Sequence, residues 1–219
     1  MNFTIYKGES QLLPGAQIEA IVSPTSANVK TGPVSQVWML VADKVPSAAV
    51  KDGSDEAVCG NCELRGGVCY VNTVRMGPNA VFRGKRRDFN FVKNTWSAQT
   101  RLGAYGDPTA VPRSVWDMFT HRHNLGYTRQ WRTHPEFSDI CMASVFTETE
   151  REEAKSLGFR TYRIGHEKTA GEMFCPWPKV TCMECKLCDG ARMAKKKDIV
   201  IPVHGTAYKH RNFEKLELK

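Results

Sequence analysis

Apolar and polar positions divide this chain into short strand-like runs separated by polar loops and helical segments. Residues 1–35 are rich in Ser, Pro, Gly, Thr and Asn, with only brief apolar stretches such as QIEAIV. They read as an irregular or partly β N-terminal arm. VWMLVA (37–42) is a continuous apolar run, the pattern of a strand buried on both faces. GPNAVFRGKRRDFNFV follows a cysteine-bearing loop, with Pro78 at a helix start and basic residues on one side. RLGAYG (101–106) predicts a second strand that ends at Gly106-Asp107-Pro108. DPTAVPRSVWDMFTHRH predicts a helix capped by Asp107 or Thr109, with Val115, Trp116 and Phe119 on its apolar face and Pro112 in its first turn.

LGYTRQW (125–131) and ICMASVF (140–146) predict strands three and four, joined by the polar link RTHPEFSD. TETEREEAKSLG has acidic residues in its first turns, Lys155 near its end and Gly158 as a stop, which is a helix. FRTYRIG (159–165) is the fifth strand and IVIPVHG (199–205) the sixth, where Pro202 suggests an edge or bulge. Strands alternating with helical segments predict an α/β fold of six βα units. The units form a mainly parallel sheet, either open and doubly wound or closed into a partial barrel. Both place functional loops at the carboxyl ends of the strands. That rim would gather the first cysteine loop, the Gly-Asp-Pro turn and a second cysteine loop. The expected division is an arm over 1–35 and one α/β metal-binding domain over 36–219, with a cysteine-rich insertion at 172–192.

Composition narrows the setting. The 219 residues are 41% hydrophobic and 25% charged, ordinary values for a globular chain. No apolar run approaches the length of a membrane span, and MNFTIYKGESQLLPGAQ lacks the basic start and apolar stretch of a secretory signal. The expected location is therefore cytoplasmic, in a reducing compartment, with no membrane partner. There, clustered cysteines point to metal or catalysis before disulfides. The net charge of +8 gathers partly in RGKRR (83–87), KKK (195–197) and the C-terminal KHRNFEKLELK. Such runs are ordinarily solvated faces, yet they permit contact with nucleic acid.

Seven of the eight cysteines fall into two groups. Cys175, Cys182, Cys185 and Cys188 are spaced Cys-x6-Cys-x2-Cys-x2-Cys, four thiolates that can close around one centre. The tight run is in the ferredoxin style of holding an iron–sulfur cluster, and tetrahedral zinc is the competitor. Cys59, Cys62 and Cys69 form the first group, Cys-x2-Cys-x6-Cys, one ligand short of a closed site. Two readings stay open. The pairs 59/62 and 185/188 combine across the fold into one zinc site, or the late quartet closes on itself and leaves the trio with a free coordination position. Cys141, alone in ICMASVF, reads as a buried structural thiol.

Two resemblances follow from these motifs. CGNCELRGGVCYV, RLGAYGDPTAVP, GYTRQW, GFRTYRIG and the late cysteine run, in that order, resemble a family of uncharacterised bacteriophage and plasmid-borne proteins, which implies a bacterial host cell. More distantly, the layout is similar to radical S-adenosylmethionine enzymes. Those carry three cysteines after the first strand of a partial barrel, holding a four-iron cluster whose free position binds the cofactor. A Gly-Glu-Pro turn after the second strand contacts the cofactor's amino group. Carried over, Cys59, Cys62 and Cys69 become cluster ligands; Gly106, Asp107 and Pro108 the cofactor turn; and the late quartet an auxiliary cluster. The chain departs from that family's x3-x2 spacing, places Tyr70 after rather than before the last cysteine, and has Asp107 for glutamate.

Tyr105, Tyr127, Arg129, Gln130 and Arg163 sit at strand ends, where they line a pocket or simply form a rim. Among the histidines (121, 123, 134, 166, 204 and 210), only His204 beside Gly205 stands out as a site candidate. No Gly-x-Gly-x-x-Gly, Gly-x4-Gly-Lys or Gly-x-Ser-x-Gly is present, so nucleotide hydrolysis and serine hydrolysis lack support. Two functions remain. One is an iron–sulfur protein of the radical type acting on an unknown substrate. The other is a zinc-stabilised nucleic-acid-binding protein without enzymatic activity, using segments 83–87 and 195–197 on phosphates.

Overall fold

Strand pairing in a computed structural model of the chain begins at the N-terminus. The structure describes residues 1–65, 67–73, 77–88, 99–119, 123–191, 197–203 and 207–217. Strands β1 (Asn2–Glu9), β2 (Gln17–Ser23) and β3 (Ser35–Val41) form an antiparallel succession. The arm expected to be irregular or partly β over residues 1–35 is strand over 2–9 and 17–23, with turns and loops between. The physical reason lies in β2, held between β1 and β3, so that Ile18, Ala20, Ile21 and Val22 are all fully buried. The Ser, Pro, Gly and Asn residues belong to its connections.

From β3 onward the pairing is parallel. β3 pairs with β5 (Gln99–Tyr105), and β5 with β6 (His123–Leu125). Gly126 alone separates β6 from β7 (Tyr127–Thr128), which opens a second sheet through β8 (Met142–Val145), β9 (Thr161–Ile164) and β11 (Asp198–Ile201). All six predicted strands are present. Each is next to its chain-order neighbour or separated from it by the Gly126 step, so the order never reverses as it does in a doubly wound sheet. Two edge strands complete the sheets: β4 (Arg86–Asp88) beside β1 and β10 (Glu172–Phe174) beside β11. The fold is mixed α/β, with one mixed and one parallel sheet.

Gly126 is tightly constrained. A Cβ there would lie 2.7 Å from Cys141 Sγ and 2.9 Å from the Ile140 carbonyl oxygen. Cys141 is itself fully buried, as its apolar setting predicts.

The helices are short: α1 (Pro46–Asp52), α2 (Glu56–Cys59), α3 (Pro78–Arg83), α4 (Glu148–Ser156), α5 (Cys182–Cys185) and α6 (Ala207–Glu217). The long helix predicted from Asp107 is instead two 3₁₀ stretches, Pro108–Ala110 and Arg113–Phe119. Pro112 is responsible, since it disfavours helical backbone at the residue before it, and Val111 is extended at φ −111° and ψ 140°. Trp116 and Phe119 still bury their rings as expected. The main core packs Leu40, Leu102, Trp116, Trp131 and Phe137. A smaller cluster holds Leu125, Met142, Cys188 and Ile199. Among the described residues no helix is long and apolar enough to cross a membrane.

Candidate functional site

The loop after β3 carries the early cysteines, and its backbone is tied down from several sides. Arg65 is its main staple, donating to the Gly60 carbonyl at 2.8 Å, the Gly53 carbonyl at 2.7 Å and Asp55 Oδ1 at 2.8 Å. Gln130 Nε2 donates to the Cys59 carbonyl at 3.2 Å, and Lys209 Nζ, from α6, to the Cys69 carbonyl at 2.7 Å. Gly60 must be glycine because its backbone, at φ +59° and ψ −149°, lies in a region closed to residues with a Cβ.

Held this way, Cys59, Cys62 and Cys69 line one cavity of about 180 Å³. Its other walls come from Tyr105, Ser144, Ile164 and Ile201, at or near the carboxyl ends of β5, β8, β9 and β11, and from Tyr127 at the start of the two-residue β7. Phe213 of α6 closes one side. Burial pushes all three thiols up, Cys59 well above its ordinary value and Cys62 to about 12. Repulsion from the neighbouring thiols adds to the effect at Cys59 and Cys62.

The Gly-Asp-Pro turn meets this loop directly. Asp107 N donates to the Val58 carbonyl of α2 at 2.6 Å. Gly106, at φ +82°, would place a Cβ 2.7 Å from Met39 Cβ, so only glycine passes there. Gly106 and Asp107 line the cavity, whereas Pro108 starts the 3₁₀ stretch behind it. The Asp107 carboxylate is fully engaged. Oδ1 accepts from Thr109 N at 3.1 Å and Thr109 Oγ1 at 2.8 Å, Oδ2 accepts from Arg129 N at 2.8 Å, and the Thr128 hydroxyl adds a further bond. It acts as a cap that joins β5 to β7, with no acceptor pointing free into the cavity.

Arg129 lines the cavity already neutralised. It forks onto Glu63 at 2.8 Å and onto Glu150, donates to the Ser144 carbonyl at 2.9 Å, and lies 4.2 Å over the Phe146 ring. The Tyr105 hydroxyl is different. It is buried at the cavity wall with no hydrogen-bond partner among the described residues. Gln130 supports the loop from behind, and Arg163 turns away to fork onto Glu172 at 2.8 and 2.6 Å.

Cys175, Cys182, Cys185 and Cys188 line a second, smaller cavity of about 20 Å³. Here too the backbone is anchored. Cys175 N donates to Val200 O of β11 at 2.8 Å, and Cys182 N to Lys30 O at 2.9 Å. Thr181 and Glu184 form a reciprocal capping box on α5, and Arg160 donates to the Leu187 carbonyl at 2.8 Å. Burial pushes the Cys188 thiol up to about 12, against a hydrogen bond with the Tyr127 hydroxyl. Tyr127 and Tyr162, with ring centroids 4.2 Å apart, line both cavities and form the wall between them. No cysteine lines both. The pairs 59/62 and 185/188 therefore face different spaces.

All eight cysteines are free thiols, and among the described residues no group of three or more His, Cys, Asp or Glu is set to hold a metal ion as it stands. His121 and His204 lie outside the described residues. His123 meets Asp189 at 3.2 Å and His134 meets Glu136 at 3.0 Å, so neither serves the cavity. In the basic segment 83–87, Arg86 pairs with Glu19 at 2.9 Å, while Arg83, Lys85 and Arg87 are exposed. Of segment 195–197 only Lys197 is described, and it is exposed.

Sequence reasoning missed Tyr162, Ser144, Phe213, Arg65 and Arg101. For Arg101 a signal existed: a charged residue inside the strand run RLGAYG has to be accounted for. The chain matches no protein-family model, no curated protein and no solved structure.

Proposed function

We propose that the chain is an iron–sulfur protein of the radical S-adenosylmethionine type, akin to the cysteine-rich phage and plasmid proteins whose motifs it resembles. The observation carrying this reading is the separation of the early trio and the late quartet into two cavities with no shared cysteine. A quartet that can satisfy its own centre leaves the trio one ligand short, beside a cavity large enough for a small molecule. The chain-order succession of parallel strands β3, β5, β6, β7, β8, β9 and β11 supports a partial barrel with that cavity at its carboxyl-end rim.

Each cavity offers cysteine thiols, a donor chemistry that suits an iron–sulfur cluster as well as zinc. Zinc draws its thiolates to within about 2.3 Å of one point. A four-iron cluster, with a separate iron for each thiolate, asks for a wider set. Cys59, Cys62 and Cys69 would hold the first cluster, and Cys175, Cys182, Cys185 and Cys188 the second. With S-adenosylmethionine on the open position, such a centre supplies one-electron cleavage of a sulfonium carbon–sulfur bond and a carbon radical that takes hydrogen from a substrate. The protein supplies the rest. Val71, Ile164, Ile201 and Phe213 keep the cavity dry, and the Gly106 backbone allows close approach. The buried Tyr105 hydroxyl offers a hydrogen bond to whatever fills the space. Arg129 and Asp107, each already paired, hold β5, β7 and α4 in place.

Oxygen-free purification and metal analysis test this directly. The expected product is a brown protein with iron and sulfide that releases 5′-deoxyadenosine from S-adenosylmethionine under a strong reductant. Cys69→Ala should abolish release while Cys141→Ala leaves it intact, and equal release from both variants defeats the reading. The exposed Arg83, Lys85 and Arg87 favour the second reading, a zinc-stabilised nucleic-acid binder. A colourless protein with stoichiometric zinc and steeply salt-dependent RNA or DNA binding would establish that one instead.

A further inference from the structure

Alternate residues of β5 run from one cysteine group to the other. Gln99 Nε2 donates to the Cys182 carbonyl at 3.2 Å, at the quartet's cavity. Gly103 and Tyr105 line the trio's cavity. Arg101 lies between them, only 8% exposed. Its guanidinium donates to the hydroxyl of Tyr70, the residue after Cys69, and sits 5.7 Å from that ring's centroid.

Among the described residues no carboxylate pairs with Arg101. Arg129 is neutralised by Glu63 and Glu150, and Arg151 by Glu148 and Asp198, whereas Arg160 has three carbonyls to accept from it, those of Leu187, Gly190 and Lys197. A phenol and an aromatic face do not neutralise a desolvated cation, and such a charge is costly without an anion nearby. Arg101 thus stands on β5 between the contact with the Cys182 carbonyl and the wall of the trio's cavity.

We propose that Arg101 is an internal counter-ion shared by the two cysteine centres, its anionic partner being the net negative charge that thiolate ligation brings to a metal or cluster. The inference rests on the metal-binding reading above. Arg101 is a positioning residue and touches no reacting atom. Its cation stabilises the more negative, reduced form of either centre and slows loss of metal.

The test compares wild type, Arg101→Gln and Arg101→Lys, each purified without oxygen and reconstituted with Fe²⁺ and sulfide. Expected for Arg101→Gln are several-fold faster iron loss to a chelator and a reduction potential shifted negative, with Arg101→Lys restoring both. In metal-stripped protein Arg101→Gln should raise the thermal midpoint, because it removes an uncompensated buried charge. A merely structural arginine would lower the midpoint in both forms, and that result overturns the proposal. So does a glutamine variant with wild-type potential and chelation rate, or a lysine variant that behaves like glutamine. Should Arg101→Gln not fold, Arg101→Lys decides alone: wild-type metal retention and potential uphold the charge, and loss of either overturns it. A wild type that takes up no metal sinks the underlying reading instead, and is distinguished by metal analysis before any variant is made.

Discussion

Asp107 shows how a residue picked out for ligand chemistry can be consumed by architecture. Its carboxylate accepts from two backbone N–H groups and two hydroxyls, joining the end of β5 to Thr128 and Arg129 after β6. Asparagine keeps the shape but turns one acceptor into a donor, which then faces a donor. Asp107→Asn should therefore destabilise the protein by about 2–3 kcal/mol, read as a lower urea midpoint with an unchanged slope. Its metal content should remain that of wild type, because no cysteine contact is lost. If stability is unchanged, the carboxylate is not acting as a cap. The sequence placed Asp107 in a Gly-Asp-Pro turn at a strand end, which the structure bears out. It could not show which donors converge on the side chain, because Thr128 and Arg129 come from another strand.

Among the elements, α4 and the edge strand β10 carry the densest charge pairing. The β10 residue Glu172 has no exposed side-chain surface and meets Arg163 at 2.6 Å, with Thr169 N donating to it at 2.8 Å. Burial raises its carboxyl, but the Arg163 fork and the Thr169 bonds outweigh this and hold it below the usual carboxylate range. A carboxylate lowered by folding contributes stability that is complete above its unfolded value of about 4.3 and is lost as pH falls through the lower folded value. Glu172→Gln removes that dependence. Its urea midpoint should lie below wild type at pH 6, and the gap should narrow by pH 3. A constant gap would show that Glu172 contributes shape rather than charge. The positions of β3, β5, β7, β8, β9 and β11 were legible from apolar or β-branched runs between turn formers. Strands β1, β4 and β10 were not, because NFTIYKGE, RRD and EMF carry no continuous apolar run, and β2 showed only as the short stretch QIEAIV. The helix expected after Asp107 failed on one local conflict, Pro112, which outweighed a correct apolar face.

At the scale of the whole molecule, the decisive feature is that cysteines distant in sequence sort into two spaces on either side of the Tyr127–Tyr162 wall. Spacing alone left the grouping open, since two knuckles from opposite halves of the chain also satisfy zinc. On the proposed metal-binding reading, separate cavities make the two metal loads independent. Cys62→Ala should remove the early centre's share of iron and leave the quartet's, while Cys185→Ala does the reverse, and the two losses should add in the double variant. A single ion shared between pairs 59/62 and 185/188 predicts instead that either change strips all the metal and that the double variant adds nothing. Additivity is expected because the Tyr pair and the β7–β9 backbone lie between the sites, so a ligand lost from one leaves the other's anchors intact. Those anchors are the Lys30 and Val200 carbonyls for the quartet, and Arg65 and Gln130 for the trio. Metal analysis of three variants thus decides between two architectures that the spacing of the cysteines permits equally.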